Sequence, residues 1–276
     1  MKFTKMHGCG NDYIYINGFE EVVDKSAHNI KNLSDRNFGI GGDGVVFINP
    51  SLNADFEMEM YNSDGTRAEM CGNAIRCVAR YVYDKKMTDK TNIAIESYGK
   101  IKYAELFLEN KIVKNVRINM GEPELVAQNI PVIFEDERVI NEKITVGEMD
   151  YNITCVSMGN PHCVVFVEDV DTIDIEKVGP LFENHKMFPK RINTEFVRVI
   201  DKNNVQMRVW ERGAGETLAC GTGASATLVA CYENGLTNKE INVELKGGVL
   251  KVSLDIENNN IFLSGPAEYV FSGEVI

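Results

Sequence analysis

The chain has 276 residues, 44% of them hydrophobic, with 29 basic against 41 acidic side chains and a formal net charge of -12. That balance repels phosphate backbones and anionic lipid, and no apolar run approaches the roughly 20 residues of a membrane span, so nucleic acid and membrane are excluded as partners. The opening stretch "MKFTKMHGCGNDYIYI" holds no apolar core of signal-peptide length, and a cytoplasmic location is expected.

In chain order, short alternating runs of β type dominate. They begin with "DYIYING", "GVVFINP", "FEMEMYN", "TNIAIES", "IKYAELFL" and "NVRINM", and continue with "YNITCVSM", "CVVFVED", "TEFVRVI", "VQMRVWE", "INVELKG" and "IFLSG". Gly, Asn, Asp and Pro bound them, as strand ends require. Helical periodicity is clear over residues 72–86 and 221–234 and weaker over 26–37 and 174–185. The pattern predicts an α+β architecture in which sheets wrap central helices.

Seven cysteines, at 9, 71, 77, 155, 163, 220 and 231, include no C-x-x-C pair, and in a reducing compartment they are expected as thiols. Cys77, Cys155, Cys163 and Cys231 read as small buried hydrophobes. The histidines at 7, 28, 162 and 185 lack zinc spacing. "GIGGDG" (39–44) satisfies G-x-G-x-x-G but precedes a strand instead of following one, and "GETLACGTGAS" lacks the Gly-Lys-Ser/Thr of a phosphate-binding loop. No metal and no cofactor are expected.

Two stretches read alike: "MCGNAIRCVARYVYD" from Met70 and "ACGTGASATLVACYENG" from Ala219. The two Cys-Gly pairs lie 149 residues apart, and the same offset carries Gly10-Asn11 onto Gly159-Asn160, Tyr61-Asn62 onto Trp210-Glu211, and Gly44 onto Asn193. Landmarks sharing one ungapped offset predict two homologous halves. "RINMGEP" and "LSGPAEY" close them, which places one domain at 1–118 plus 265–276, carrying Cys71, and the other at 119–264, carrying Cys220.

A cysteine at the start of a helix meets backbone N–H groups and the positive end of the helix dipole, an environment expected to lower its pKa. The small residues that follow let backbone approach a ligand carboxylate. One thiol per half, in equivalent positions, is what inversion of a stereocentre needs: one sulfur removes the Cα proton and the other delivers a proton to the opposite face. Glu211 and Arg212 offer an anion and a cation at adjacent positions for an amino-acid head group.

The set "HGCGND", "YNSDGTRAEMCGNAIR", "MGNPHCVVFV", "RINTEFV" and "WERGAGETLACGTGASA" resembles the diaminopimelate epimerase family over essentially the whole chain. The resemblance implies two pseudo-symmetric domains, each a β-barrel-like sheet around a central helix, and cofactor-independent interconversion of LL- and meso-diaminopimelate. It implies Cys71 and Cys220 as the acid-base thiols and His162 and Glu211 as residues assisting proton movement. Asn11, Asn62, Asn160, Asn193, Glu211 and Arg212 would hold substrate, with Gly72-Asn73 and Gly221-Thr222 as the carboxylate-cradling turns. Where some members carry Gln after the "GIG" loop, this chain has Gly44. The partner is then a small molecule, diaminopimelate, with a homodimer left open. Alternatives are a proline- or histidine-racemase-like enzyme of the same fold, an isomerase of the phenazine-pathway type, a non-enzymatic amino-acid-binding protein, and a purely structural repeat.

Overall fold

The computed structural model describes residues 1–68 and 71–276. The chain divides into two compact units, Met1–Asn119 with Ser264–Ile276, and Met120–Leu263. It runs through β1 (Lys2–Gly8), β2 (Asn11–Asn17), α1 (Ala27–Ser34), β3 (Gly44–Asn49), β4 (Phe56–Asn62), β5 (Arg67–Ala68), α2 (Gly72–Asp84), β6 (Asn92–Ser97), β7 (Lys100–Glu109) and β8 (Ile112–Gly121). It continues through β9 (Glu142–Val146), β10 (Met149–Ser157), β11 (Pro161–Phe166), α3 (Ile175–Glu183), β12 (Asn193–Val199), β13 (Asn204–Glu211), β14 (Gly215–Thr217) and α4 (Gly221–Glu233). The closing strands are β15 (Glu240–Leu245), β16 (Gly248–Asp255), β17 (Asn260–Gly265) and β18 (Glu268–Glu274). Among the described residues, no helix is long and apolar enough to cross a membrane.

In the first unit, β18 pairs antiparallel with β1, and β1 antiparallel with β2. The sheet continues with parallel β2–β3, antiparallel β3–β4, parallel β4–β6 and antiparallel β6–β7. Helix α2 packs on β1, β2, β6 and β7, strands from both arms of the sheet, so the sheet curls around it. Ile75, Val78, Ala79 and Val82 supply helical spacing, and nearly every residue from Gly72 to Val82 is buried. Arg76 lies fully buried inside this core. Its guanidinium donates to Gly72 O at 3.0 Å, Asn73 Oδ1 at 2.8 Å and Pro266 O at 3.1 Å.

Removing that fork strips several acceptors of their donor at once, and each such buried group costs about 1–3 kcal/mol. Arg76→Leu is expected to lower the free energy of unfolding by about 3 kcal/mol or more. A denaturant midpoint equal to that of the parent protein would contradict the assignment.

In the second unit, β9 and β10 pair antiparallel, as do β10 and β11, and the sheet continues with parallel β11–β12, antiparallel β12–β13, parallel β13–β15 and antiparallel β15–β16. Helix α4 packs against β10, β11, β12, β15 and β16. Its sequence, GTGASATLVACYE, is small or apolar on every side, and the burial is correspondingly all-round. Helix α3 covers the same sheet through β9, β12, β13 and β14, with Phe182 stacked edge-on against Phe196.

The offset of the repeat recurs in the pairing registers. Tyr13 lies opposite Gly44 in the first unit and His162 opposite Asn193 in the second, each pair shifted by 149. Met60 opposite Ala68 answers to Val209 opposite Thr217, and α2 and α4 coincide end for end. Gly10 and Gly159, again equivalent, both occupy positive φ, at 83° and 97°. Cys77, Cys155, Cys163 and Cys231 are fully buried, as small core hydrophobes. Cys9 also packs inside, at φ 54° between Gly8 and Gly10.

Candidate active site

In the first unit, Cys71 is the N-cap of α2, with extended backbone at φ -133° and ψ 117°. Its sulfur donates to Asn11 Oδ1 at 3.2 Å, and Asn73 Nδ2 donates to the same oxygen at 3.4 Å. The orientation of the Asn11 amide follows from its other neighbour. Nδ2 donates to Asp43 Oδ2 at 2.7 Å, and a carboxylate only accepts, so the carbonyl side must face Cys71. Arg36 bridges Asp43 and Asp12 and holds this arm in place. Asn62, at the end of β4 opposite Gly44, is exposed and donates to Thr66 Oγ1 at 3.1 Å. A side chain at Gly44 would collide with the carbonyl oxygen of Tyr61, so this backbone has no room there for a Gln.

The second unit assembles more of the expected residues. Cys220 caps α4, and its sulfur accepts from Gly223 N and contacts Thr222 Oγ1, both at 3.4 Å. Asn160 Nδ2 donates to Thr222 Oγ1 at 3.3 Å, and its Oδ1 lies 3.1 Å from His162 Nε2. The Glu211 carboxylate accepts from Thr217 Oγ1 at 2.5 Å and lies near enough to the Cys220 sulfur to act on it electrostatically. Asn193 donates to Pro161 O at 2.8 Å and accepts from the Arg212 N–H at 2.9 Å.

Glu211 and Arg212 do not act as an adjacent pair. The Glu211 carboxylate turns inward to Thr217 and Cys220, whereas the Arg212 guanidinium lies in an exposed turn and donates to Lys190 O at 2.9 Å. Successive residues at a strand end point to opposite sides, which separates them.

The expectation that a helix terminus lowers the thiol pKa fails at Cys220. Burial pushes this thiol well up, and the Glu211 and Glu195 carboxylates push it further, while Thr222 and the Gly223 N–H oppose them only in part. Burial likewise raises the Glu211 carboxyl, against the opposing effects of Thr217 and Cys220. Burial thus disfavours the charged form of both groups, and the thiol, pushed the further of the two, is the one held protonated.

Two contributors escaped the sequence reading. Glu195, fully buried on β12, bonds His162 Nδ1 at 2.7 Å, and Asp43 orients Asn11. A carboxylate at an inward position of the "TEFVRVI" strand, next to Phe196 and Val197, was the available signal for the first. The second sat within the glycine-rich "GIGGDG" loop. Among the described residues no group of His, Cys, Asp and Glu has a metal-binding arrangement.

A family model described as diaminopimelate epimerase matches residues 3–126 and 154–270. The chain belongs to the diaminopimelate epimerase family. A relative from Agathobacter rectalis named diaminopimelate epimerase is 56% identical, with 100% of this chain and 99% of the relative covered. Another of that name from Methanococcus maripaludis is 54% identical over the same shares. Among solved structures, a phenazine biosynthesis protein of the PhzF family from Bacillus anthracis superposes with TM-score 0.73 at 16% identity, covering 100% of this chain and 99% of that one. A hydroxyproline epimerase from Agrobacterium vitis superposes with TM-score 0.68 at 13% identity, covering 100% and 90% respectively. These distant likenesses share the α+β fold of two pseudo-symmetric halves, each a sheet wrapped around a helix, that the sequence predicted.

Proposed function

We propose that this chain is a diaminopimelate epimerase, an isomerase of lysine and peptidoglycan-precursor synthesis that interconverts LL- and meso-diaminopimelate in the cytoplasm. The observation that carries the reading is full-length identity of 48–56% to relatives named for that activity. It is joined to a thiol capping the central helix of each half. Lower identity to the hydroxyproline and phenazine-type proteins favours it over those alternatives.

Cys71 and Cys220 are the two acid-base groups for one Cα. Cys220 and Glu211 share a proton, and its transfer to Glu211 produces the thiolate that removes the Cα hydrogen. The Cys71 thiol, which donates to Asn11 at rest, gives its proton to the other face of the planar carbanion. Turnover leaves Cys220 protonated and Cys71 as thiolate, the state competent for the reverse direction, and solvent resets it. The first-turn N–H groups at Gly72-Asn73 and Gly221-Thr222 receive the carboxylate whose charge grows in the carbanion. Asn11, Asn62, Asn160, Asn193 and Arg212 position the substrate, and His162 assists proton movement. All of these steps draw on groups of the chain itself.

The test is incubation with pure LL-diaminopimelate and chiral separation of the products, with L-proline and trans-4-hydroxy-L-proline run alongside. Conversion to a mixture with the meso form, and none of the ring amino acids, is expected. Turnover of a ring amino acid with diaminopimelate untouched would contradict the proposal.

A further inference from the structure

Glu195 holds a position that packing alone does not account for. It sits on β12, where neighbouring Thr194, Phe196 and Val197 are all buried, and its own side chain has no solvent exposure. One carboxylate oxygen, Oε1, lies 2.7 Å from His162 Nδ1, whereas Oε2 is buried with no hydrogen-bond partner. An unpartnered charged oxygen in a core costs stability, so an apolar residue would serve the fold better at this position.

The surroundings are shaped to admit it. A Cβ on Gly223, in the first turn of α4, would lie 2.7 Å from Glu195 Oε1 and 3.3 Å from the Cys220 sulfur, so a residue without a side chain is required there. Charged and titratable neighbours facing the carboxylate are His162 on β11, Glu211 on β13, Cys220 at the head of α4 and Cys163 on β11.

We infer that Glu195 is the positioning residue of His162, holding the Nδ1 hydrogen and the ring plane so that Nε2 alone gains or loses a proton. A carboxylate offers only acceptor oxygens, so the nitrogen facing it must carry hydrogen. Nε2 is thereby turned to Asn160 Oδ1, an oxygen that only accepts and so receives a hydrogen carried on Nε2, while Asn160 Nδ2 holds Thr222 beside the Cys220 sulfur. The catalytic consequence rests on the two-thiol reading above, but the tautomer does not.

Two variants separate positioning from packing. In Glu195→Leu the acceptor is gone: the ring is expected to lose its fixed Nδ1–H form, read by nitrogen NMR of protein labelled at its four histidines. The kcat for diaminopimelate is expected to fall at least about tenfold with KM within about twofold, and the thermal midpoint not to fall. Glu195→Gln keeps an acceptor oxygen, so it should retain the Nδ1–H signature and an intermediate kcat. An unchanged tautomer in Glu195→Leu, or a kcat within twofold of the parent, would overturn the inference, as would loss of activity in both variants in step with their midpoints. The NMR signature is read without substrate, so a failed substrate assignment shows as silence in the activity arm alone.

Discussion

Replacing either sulfur by oxygen is expected to reduce kcat for diaminopimelate epimerisation by about 10³-fold, in Cys71→Ser and in Cys220→Ser alike. A hydroxyl is a far weaker acid than a thiol, so it neither forms the base nor delivers the proton on the time scale of the carbanion. The two substitutions remove one machine, so the double variant should be little slower than either single one. KM should move much less than kcat, because the proposal assigns the carboxylate to backbone at the helix starts and to amide side chains, which these substitutions leave in place. Steady-state kinetics in both directions checks this. A single variant retaining a tenth or more of the parent kcat would show that its sulfur is not an acid-base group.

The second large effect concerns Cys220 and has opposite signs in two readouts. Burial raises this thiol, and the carboxylates of Glu211 and Glu195 raise it further, so near neutral pH the sulfur rests protonated. A raised thiol gains thiolate only as pH climbs through the alkaline range. Alkylation of Cys220 by iodoacetamide, followed site by site with mass spectrometry, should therefore be slow at neutral pH and accelerate above it. In Glu211→Gln one of the repelling charges is absent, the thiolate forms more readily, and alkylation at a fixed alkaline pH should quicken by about tenfold. Epimerisation by the same variant should fall by about 10²-fold, since it lacks the group proposed to accept the Cys220 proton. Faster alkylation together with slower turnover identifies Glu211 as proton partner. A variant slowed in both would make it a packing group.

Much of this architecture was legible in the sequence because it rests on local periodicity. Alternation in "GVVFIN" and "FEMEMYN" marks β3 and β4, and the stripes at 72–86 and 221–234 end within two residues of α2 and α4. The 149-residue offset was visible because pairing registers and helix lengths, as well as the Cys-Gly signature, repeat without a gap. Strand β1 was missed because "KFTKMHG" places two lysines among its apolar residues. Lys5 is buried there because the Asp12 carboxylate lies 2.6 Å away and Gly41 O accepts from its ammonium, partners that sequence alone does not pair with it. Strand β18 went unread because none of its residues is buried, so it carries no inward apolar face, whereas β9 and β16 do alternate but place only two buried residues each.

The local environment of each thiol was less legible than its position. A helix dipole can be inferred from the Cys-Gly signature, but desolvation depends on what covers the sulfur, and at Cys220 it reverses the expected direction. The equivalent neighbours also differ in kind. Tyr13 and Asn62 stand in the first unit where His162 and Glu211 stand in the second, and Val46 where Glu195 stands. The repeat thus preserves backbone geometry while its titratable chemistry is concentrated around Cys220. The 149-residue offset shows the exchange of residue types, and the pairing of β11 with β12 shows that it brings Glu195 onto His162.

The central claim is that two different groups handle the departing and arriving protons, and the most direct measurement is deuterium content early in turnover. LL-diaminopimelate is incubated with reduced protein in D2O, and the remaining substrate and the new meso product are separated and weighed by mass spectrometry within the first few per cent of conversion. Two thiols on opposite faces predict deuterium at the inverted carbon of the product and almost none in the recovered substrate. Equal early labelling of substrate and product would mean that one group serves both faces, and the two-thiol account would be wrong.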